Sequence, residues 1–218
     1  MRKTFLAITL FLAFSKAALA QFGNCTASEM RTYVDSATGN TITMLTDTMK
    51  NDRFLYQTDP MWTADGKYLL FRSSSRGNDK EVESTLPNGE KRKWTPTQIY
   101  FIEMTTGKII QATEGPNLGS AFLANKTNRM FVSRKEKENW NMYVMDLDKF
   151  FADVKQGKVG KPSAYETFIG TFPTEMGRPG GYAVDCNDDY AYITVEREGT
   201  EEEKERMMKN AFLKVTSR

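Results

Sequence analysis

Histidine is absent from the 218 residues, and cysteine occurs only at Cys25 and Cys186. The first absence removes the side chain most often used as a general base near neutral pH and as a transition-metal ligand. Two cysteines without histidine do not make a metal site of ordinary composition. They could form one disulfide in an oxidising compartment, or stand as two unrelated thiols, and the sequence leaves both open. An excess of one charge sign is missing too. The formal charge is +2, yet residues 1–20 carry Arg2, Lys3 and Lys16 and no acid, which leaves 27 basic against 28 acidic side chains beyond them. A chain so nearly neutral offers no bulk field for nucleic acid or an anionic membrane, so neither is an expected partner. After residue 20 no segment is apolar enough to span a bilayer, and no membrane insertion is expected. No Gly-x-Ser-x-Gly stretch occurs, which speaks against a serine-hydrolase nucleophile elbow.

The composition is that of an ordinary globular chain, 39% hydrophobic and 27% charged. Residues 1–20 read as a secretory signal: Arg2-Lys3, the short apolar run TFLAITLFLAF, then Ala18-Leu19-Ala20 as a small-x-small cleavage site. A membrane anchor is the alternative. A periplasmic or secreted protein beginning at Gln21 is the expectation. Asn24-Cys25-Thr26 and Asn125-Lys126-Thr127 match the glycosylation pattern, a common coincidence.

Residues 21–218 read as strands and turns. DPMWTADGKYLLFRSSS (59–75) holds a short inner strand, a tight turn around Asp65-Gly66, and the apolar run Tyr68-Leu69-Leu70-Phe71. A charged insertion at about 76–94 carries the turn signal Pro87-Asn88-Gly89. TQIYFIEM, the turn TTGK and IIQATEG complete a four-stranded antiparallel unit at 58–115. Parts of it recur at 33–47, where Thr38-Gly39 stands for Thr106-Gly107, at 120–150, and at 180–218. A four-stranded unit repeating at about sixty residues predicts a β-propeller, with about three blades present; an open β-sandwich is the alternative. Strands apolar throughout, not alternating, suit a sheet covered on both faces. GTEEEKERMMKNAFL (199–213) has Glu202–Arg206 and Glu205–Lys209 at helical spacing and predicts one short helix near the C-terminus.

WTADGKYLLF with IYFIEMTTGKIIQATEG resembles the repeat of TolB-type propellers. The longer series, YVDSATGNTITMLT, FLYQTDPMWTADGKYLLF, the run through TEGPNLGSAFL, and GGYAVDCNDDYAYITVEREG, resembles the N-terminal half of oligogalacturonate lyases over roughly residues 30–200. The resemblance implies a seven-bladed propeller that cleaves pectin-derived oligogalacturonides by β-elimination. It also implies a divalent metal, typically manganese, held by histidines and a glutamine. No residue of this chain matches those ligands or the histidine base, so no metal is expected to bind this chain. The chain reads as an N-terminal fragment, inactive by itself; a naturally complete short relative is the alternative.

An acidic oligosaccharide is then the expected partner, and arginine the side chain that grips a uronate carboxylate bidentately. The candidate substrate-binding residues are Arg53, Tyr56 and Gln57 before the first blade, Arg72 after its apolar strand, and Arg178 and Arg197 around the third; Arg76 and Arg134 are further candidates. Asp59 and Asp65 read as turn residues, and Glu136 and Glu138 as a solvated loop. The competing readings are a non-catalytic TolB-like propeller that binds sugars or proteins, and the propeller of a secreted peptidase.

Overall fold

The computed structural model describes residues 21–77, 80–85, 89–172, 178–196 and 213–216. The signal-like residues 1–20 lie outside them. The fold is all-β with one short helix, built from antiparallel sheets, and no closed barrel is present among the described residues.

The first sheet has five strands. β1 (Cys25–Thr26) pairs with β9 (Ile109–Gln111), which pairs with β8 (Gln98–Glu103), then β5 (Tyr68–Ser73) and finally β4 (Asp52–Arg53). The second holds β10 (Leu118–Leu123), β11 (Arg129–Glu136), β12 (Asn139–Asp146) and β13 (Glu166–Thr171) in that order. The third holds β14 (Arg178–Val184), β15 (Tyr190–Glu196) and β16 (Leu213–Thr216). Two hairpins stand apart: β2 (Arg31–Val34) with β3 (Thr41–Met44), and β6 (Val82–Thr85) with β7 (Lys91–Trp94) in the charged insertion.

The sheets repeat one local plan. The turns that lead into β5, β11 and β15 are each closed by the same backbone bond, Thr63 N to Tyr68 O, Ala124 N to Arg129 O and Asp185 N to Tyr190 O, all 3.0 Å. Their first residues, 63, 124 and 185, are evenly 61 apart. Asp65 and Gly66 shape the first of these turns. The Asp65 carboxylate accepts from Thr63 Oγ1 at 2.7 Å and from the Lys67 amide, and Gly66 sits at φ +68 where a side chain is strained.

Alternation along β5 explains its unbroken apolar run. Tyr68 and Leu70 enter the core shared with the second sheet, while Leu69 and Phe71 enter a second core on the opposite face with Tyr100, Ile102 and Ile109. A strand buried on both faces has no polar side to show. In the second sheet, Met130 and Val132 face the first sheet, and Phe122, Phe131 and Met142 pack with Ala191 and Ile193 of the third.

The turns also tie the sheets together. Asp188 is buried at 4% exposure in the turn before β15. Its carboxylate accepts from the amides of Asn125 (2.6 Å), Lys126 (2.8 Å) and Thr127 (2.8 Å), and from Thr127 Oγ1 (2.9 Å). Burial alone would push this carboxyl up, but those hydrogen bonds outweigh it and hold it below the usual range. The Asn125 amide nitrogen donates back to Val184 O and Asp185 O, so this glycosylation-like asparagine serves as a tie between sheets. Asn128 Oδ1 accepts from the Asp65 amide and links the first two turns.

The helix departs from the sequence expectation. α1 (Leu147–Gln156) lies between β12 and β13, capped by Asp146, which accepts from the Lys149 amide, and by Gly157 at φ +65. Leu147, Phe150 and Phe151 bury against the first sheet, with Phe151 stacked on Tyr68 at 3.6 Å between centroids. The segment Asp146 to Gly157 carries an N-cap, apolar residues at helical spacing and a C-cap glycine, which is the signal that finds it. Of the helix expected at 199–213, residues 199–212 lie outside the described residues, and Leu213 opens β16. Among the described residues no helix is long and apolar enough to cross a membrane.

Candidate functional site

β5, β11 and β15 are equivalent second strands that leave equivalent turns, so their C-terminal ends lie at one end of the three sheets. Most of the arginines singled out from the sequence sit there. Arg53 is directly opposite Arg72, Arg134 is opposite Leu118, and Arg178 is opposite Glu196. For Arg178 the structure describes the backbone position alone, and Arg197 lies outside the described residues. Arg53, Tyr56, Gln57 and Arg72 are all exposed and lie outside the cores.

The arginines differ sharply in their partners. Arg76 is neutralised twice: Nε and Nη2 donate to Asp52 at 2.8 and 2.6 Å, and Nη1 and Nη2 donate to Glu29 at 2.9 and 2.6 Å. Its side chain is 6% exposed. Burial alone would weaken its charge, but the two carboxylates hold it firmly protonated. The hydrogen bond from Arg76 in turn lowers the Glu29 carboxyl. This arginine stitches the N-terminal segment to β4, so it serves the fold. Arg134 is likewise held bidentately by Glu166, whose side chain is 4% exposed. Both are corrections to the sequence reading, because their donors are committed to acids of the chain itself.

Arg53 and Arg72 are exposed and make no ion pair among the described residues. Arg53 Nε donates to Asn51 Oδ1 at 3.3 Å, and Arg72 Nη2 donates to Phe54 O at 3.2 Å. Alternation places Arg72 on the same side of β5 as Leu70, hence on the face toward the second sheet. Arg53, its cross-strand partner, shares that side.

The edge strand of the first sheet is interrupted here. After β4 the chain leaves the sheet and returns with Met61 O accepting from Leu70 N and Trp62 bridging Leu69. The excursion 54–60 is FLYQTDP. Leu55 anchors it in the core at 8% exposure, while Phe54 and Tyr56 stand out at 53% and 68%. Gln57 is exposed as well, and Asp59 N bonds Tyr56 O at 2.8 Å to close a turn. Asp59 and Asp65 therefore shape turns, in keeping with the sequence. Trp62, 46% exposed, and Phe54 are candidates that the sequence reading missed; each is a large aromatic beside a polar residue at a strand end.

Glu136 is exposed yet engaged: it accepts from Tyr143 Oη at 2.6 Å and from Asn141 Nδ2 at 2.8 Å. Across the first sheet from Arg53 and Arg72 lies a cavity of about 250 Å³ of mixed lining, among it Glu29, Lys50, Arg76, Gln111, Tyr100 and Ile109. Cys25, on β1, and Cys186, in the turn before β15, are free and exposed and belong to different sheets, so the candidate disulfide is not formed. Among the described residues no group of three or more Asp, Glu or Cys side chains comes together as a metal site.

No protein-family model matches the chain, and no curated protein matches it. Its fold is similar to solved oligogalacturonate lyases. One, an oligogalacturonate lyase in complex with manganese, superposes with a TM-score of 0.54 at 19% identity, over 79% of this chain and 37% of that one. A second, the oligogalacturonate lyase of Vibrio parahaemolyticus, gives 0.55 at 20% identity, over 82% and 39%. The chain thus spans well under half the length of these lyases, and at such identity the likeness is one of fold.

Proposed function

We propose that this chain forms part of a propeller of the oligogalacturonate-lyase kind, with the three sheets and the β2–β3 hairpin as successive blades, and that it supplies one wall of a site for acidic oligosaccharides outside the cytoplasm. The observation that carries this reading is the shared fold over four fifths of the chain. The exposed, acid-free arginines at one end of the sheets support it. β-Elimination from a uronide needs a base for the C5 proton, positive charge on the neighbouring carboxylate, and assistance to the departing O4. This chain offers the second through arginine. The residues present do not fit a manganese site, for histidine is absent and no ligating cluster forms among the described residues, so no step is routed through a metal here.

The same two facts favour, as a second reading, a propeller that binds without catalysis. The test is to titrate oligogalacturonides into the purified chain and to follow the absorbance of unsaturated product from digalacturonate with added manganese. Binding without turnover is the expected result. Turnover by the chain alone would overturn the view that a base lies elsewhere, and failure to bind any uronide would favour the scaffold.

A further inference from the structure

Two guanidinium groups directly opposite one another on an antiparallel pair repel. The register places Arg53 and Arg72 in that relation, on one side of the sheet and exposed. Two other arginines are neutralised: Arg76 has Asp52 and Glu29, and Arg134 has Glu166. Arg53 and Arg72 each donate one hydrogen bond to a neutral oxygen, which leaves most of their five N–H donors apiece to water or to a ligand. Beside them the excursion displays Phe54 and Tyr56, more than half exposed, and Trp62 follows where the strand resumes. Three exposed aromatic rings within nine residues, next to two exposed arginines, mark a binding surface.

From this we infer that Arg53 and Arg72 form a two-arginine clamp for a single carboxylate, and that the rings of Phe54 and Tyr56 take the C–H face of the sugar that bears it. The inference rests on the uronide-binding reading above and narrows it to one subsite. The ligand class follows from the combination. A carboxylate matches the planar fork of arginine and relieves the repulsion between the pair. An aromatic platform suits the apolar face of a pyranose ring. The near-neutral charge of the chain beyond residue 20 argues against a polyanion held by field alone. Arg178 and Arg197 are not needed for this subsite. The inner strands of the second and third sheets, β10 and β14, run without such an excursion, so the clamp belongs to the first sheet alone among the described residues.

The experiment measures binding of trigalacturonate, its methyl ester, and an oligomer containing glucuronate to the full chain and to Arg53→Ala, Arg72→Ala, Arg72→Lys, Tyr56→Ala and a control, Arg92→Ala, on the exposed β6–β7 ribbon. Circular dichroism confirms folding; the substituted side chains are exposed, so the melting midpoint should hold. Each clamp alanine should weaken trigalacturonate about tenfold, a loss of about 1.4 kcal/mol. Arg72→Lys should recover only part of it, because a point charge lacks the fork. The penalty should vanish with the methyl ester, whereas Tyr56→Ala should weaken acid and ester alike, and Arg92→Ala should change neither. If both clamp alanines bind trigalacturonate as the parent does, the clamp is wrong and the uronide reading survives. If the parent ignores galacturonate but holds glucuronate through Arg53 and Arg72, the clamp stands and the lyase reading falls. No binding of any uronide overturns both.

Discussion

The hairpins β2–β3 and β8–β9 share a turn and differ in almost everything around it. In the first, the Asp35 carboxylate accepts from Thr38 Oγ1, Gly39 N bonds Asp35 O at 2.8 Å, and Gly39 lies at φ +73. In the second, Glu103 accepts from Thr106 Oγ1, Gly107 N bonds Glu103 O at 2.7 Å, and Gly107 lies at φ +69. Yet β8 and β9 are buried almost throughout, whereas β2 is exposed at all four positions, with Tyr33 at 48% and Val34 at 65%. The local sequence writes the turn, and the neighbouring strands decide the burial. β8 has β5 beside it and cores on both faces; among the described residues β2 pairs with β3 alone.

The largest effect should come from emptying the buried member of the pair. Phe101, fully buried against Phe151, should lose about 3–5 kcal/mol on Phe101→Ala, while Val34→Ala on the hairpin should fall within about 0.5 kcal/mol. Urea unfolding of the two variants measures both. A comparable loss from Val34→Ala would mean that β2 is covered in solution.

Next in size is the acid sensitivity of a buried carboxylate against an exposed one. Asp188 has its pKa held below its ordinary value of 3.8 by hydrogen bonds that outweigh burial. Its stabilisation is therefore complete above the ordinary carboxylate range and is lost as the pH falls through the folded value. Asp188→Ala should cost about 1–3 kcal/mol at neutral pH by leaving amides of 125–127 unpaired. The loss should shrink on acidification. Asp35 also titrates low, owing first to its Thr38 hydrogen bond, but it lies in a surface turn, and Asp35→Asn should leave the acid limb of the stability curve in place. An acid limb unchanged by Asp188→Ala would show that the clamp between sheets is not what acid breaks.

The equivalent glycines sharpen the comparison further. A Cβ on Gly107 would stand 2.1 Å from Ser28 Oγ and 2.6 Å from Met30 Sδ, while one on Gly39 meets nothing within 4 Å. Gly39→Ala should cost about 1 kcal/mol through its left-handed backbone alone. Gly107→Ala should cost about 1 kcal/mol more, because the 28–30 segment must shift. Equal losses would mean that this segment does not rest on the turn.

Much of this was legible in the sequence, for definite reasons. Asp65-Gly66, Thr106-Gly107 and the DCNDD turn bear residues whose backbone or side-chain chemistry fixes a turn locally, so they can be read without tertiary context. The run Tyr68–Phe71 announces two covered faces through its lack of alternation. What the sequence hid depends on partners. Nothing in the composition of Arg76 or Arg134 distinguishes them from Arg53 and Arg72; only folding reveals that Glu29, Asp52 and Glu166 claim the first two. The excursion 54–60 was hidden because β4 pairs through just two residues, too few for a strand signal. α1 is masked in the sequence because the strand pattern of β12 runs straight into it.

The smallest effect tests whether the shared turn is autonomous. Thr38→Val and Thr106→Val each remove one exposed hydroxyl donor to the carboxylate at the start of the turn. An exposed hydrogen bond of this kind is worth about 0.5–1 kcal/mol. If the turn is local chemistry, the two variants should lose the same small amount, although one hairpin is buried and the other is not. Glu103 complicates the second case in a useful way. Its carboxyl is held low first by Thr106, then by Lys155, whose Nζ lies 3.2 Å away, so a charged partner remains when the hydroxyl is gone. Thr106→Val should therefore be the milder of the two when both are measured at low salt, and the gap should close at high salt as that partner is screened. A loss at Thr106 several times that at Thr38, whatever the salt, would show that burial strengthens the turn and that the two hairpins are less alike than their geometry suggests.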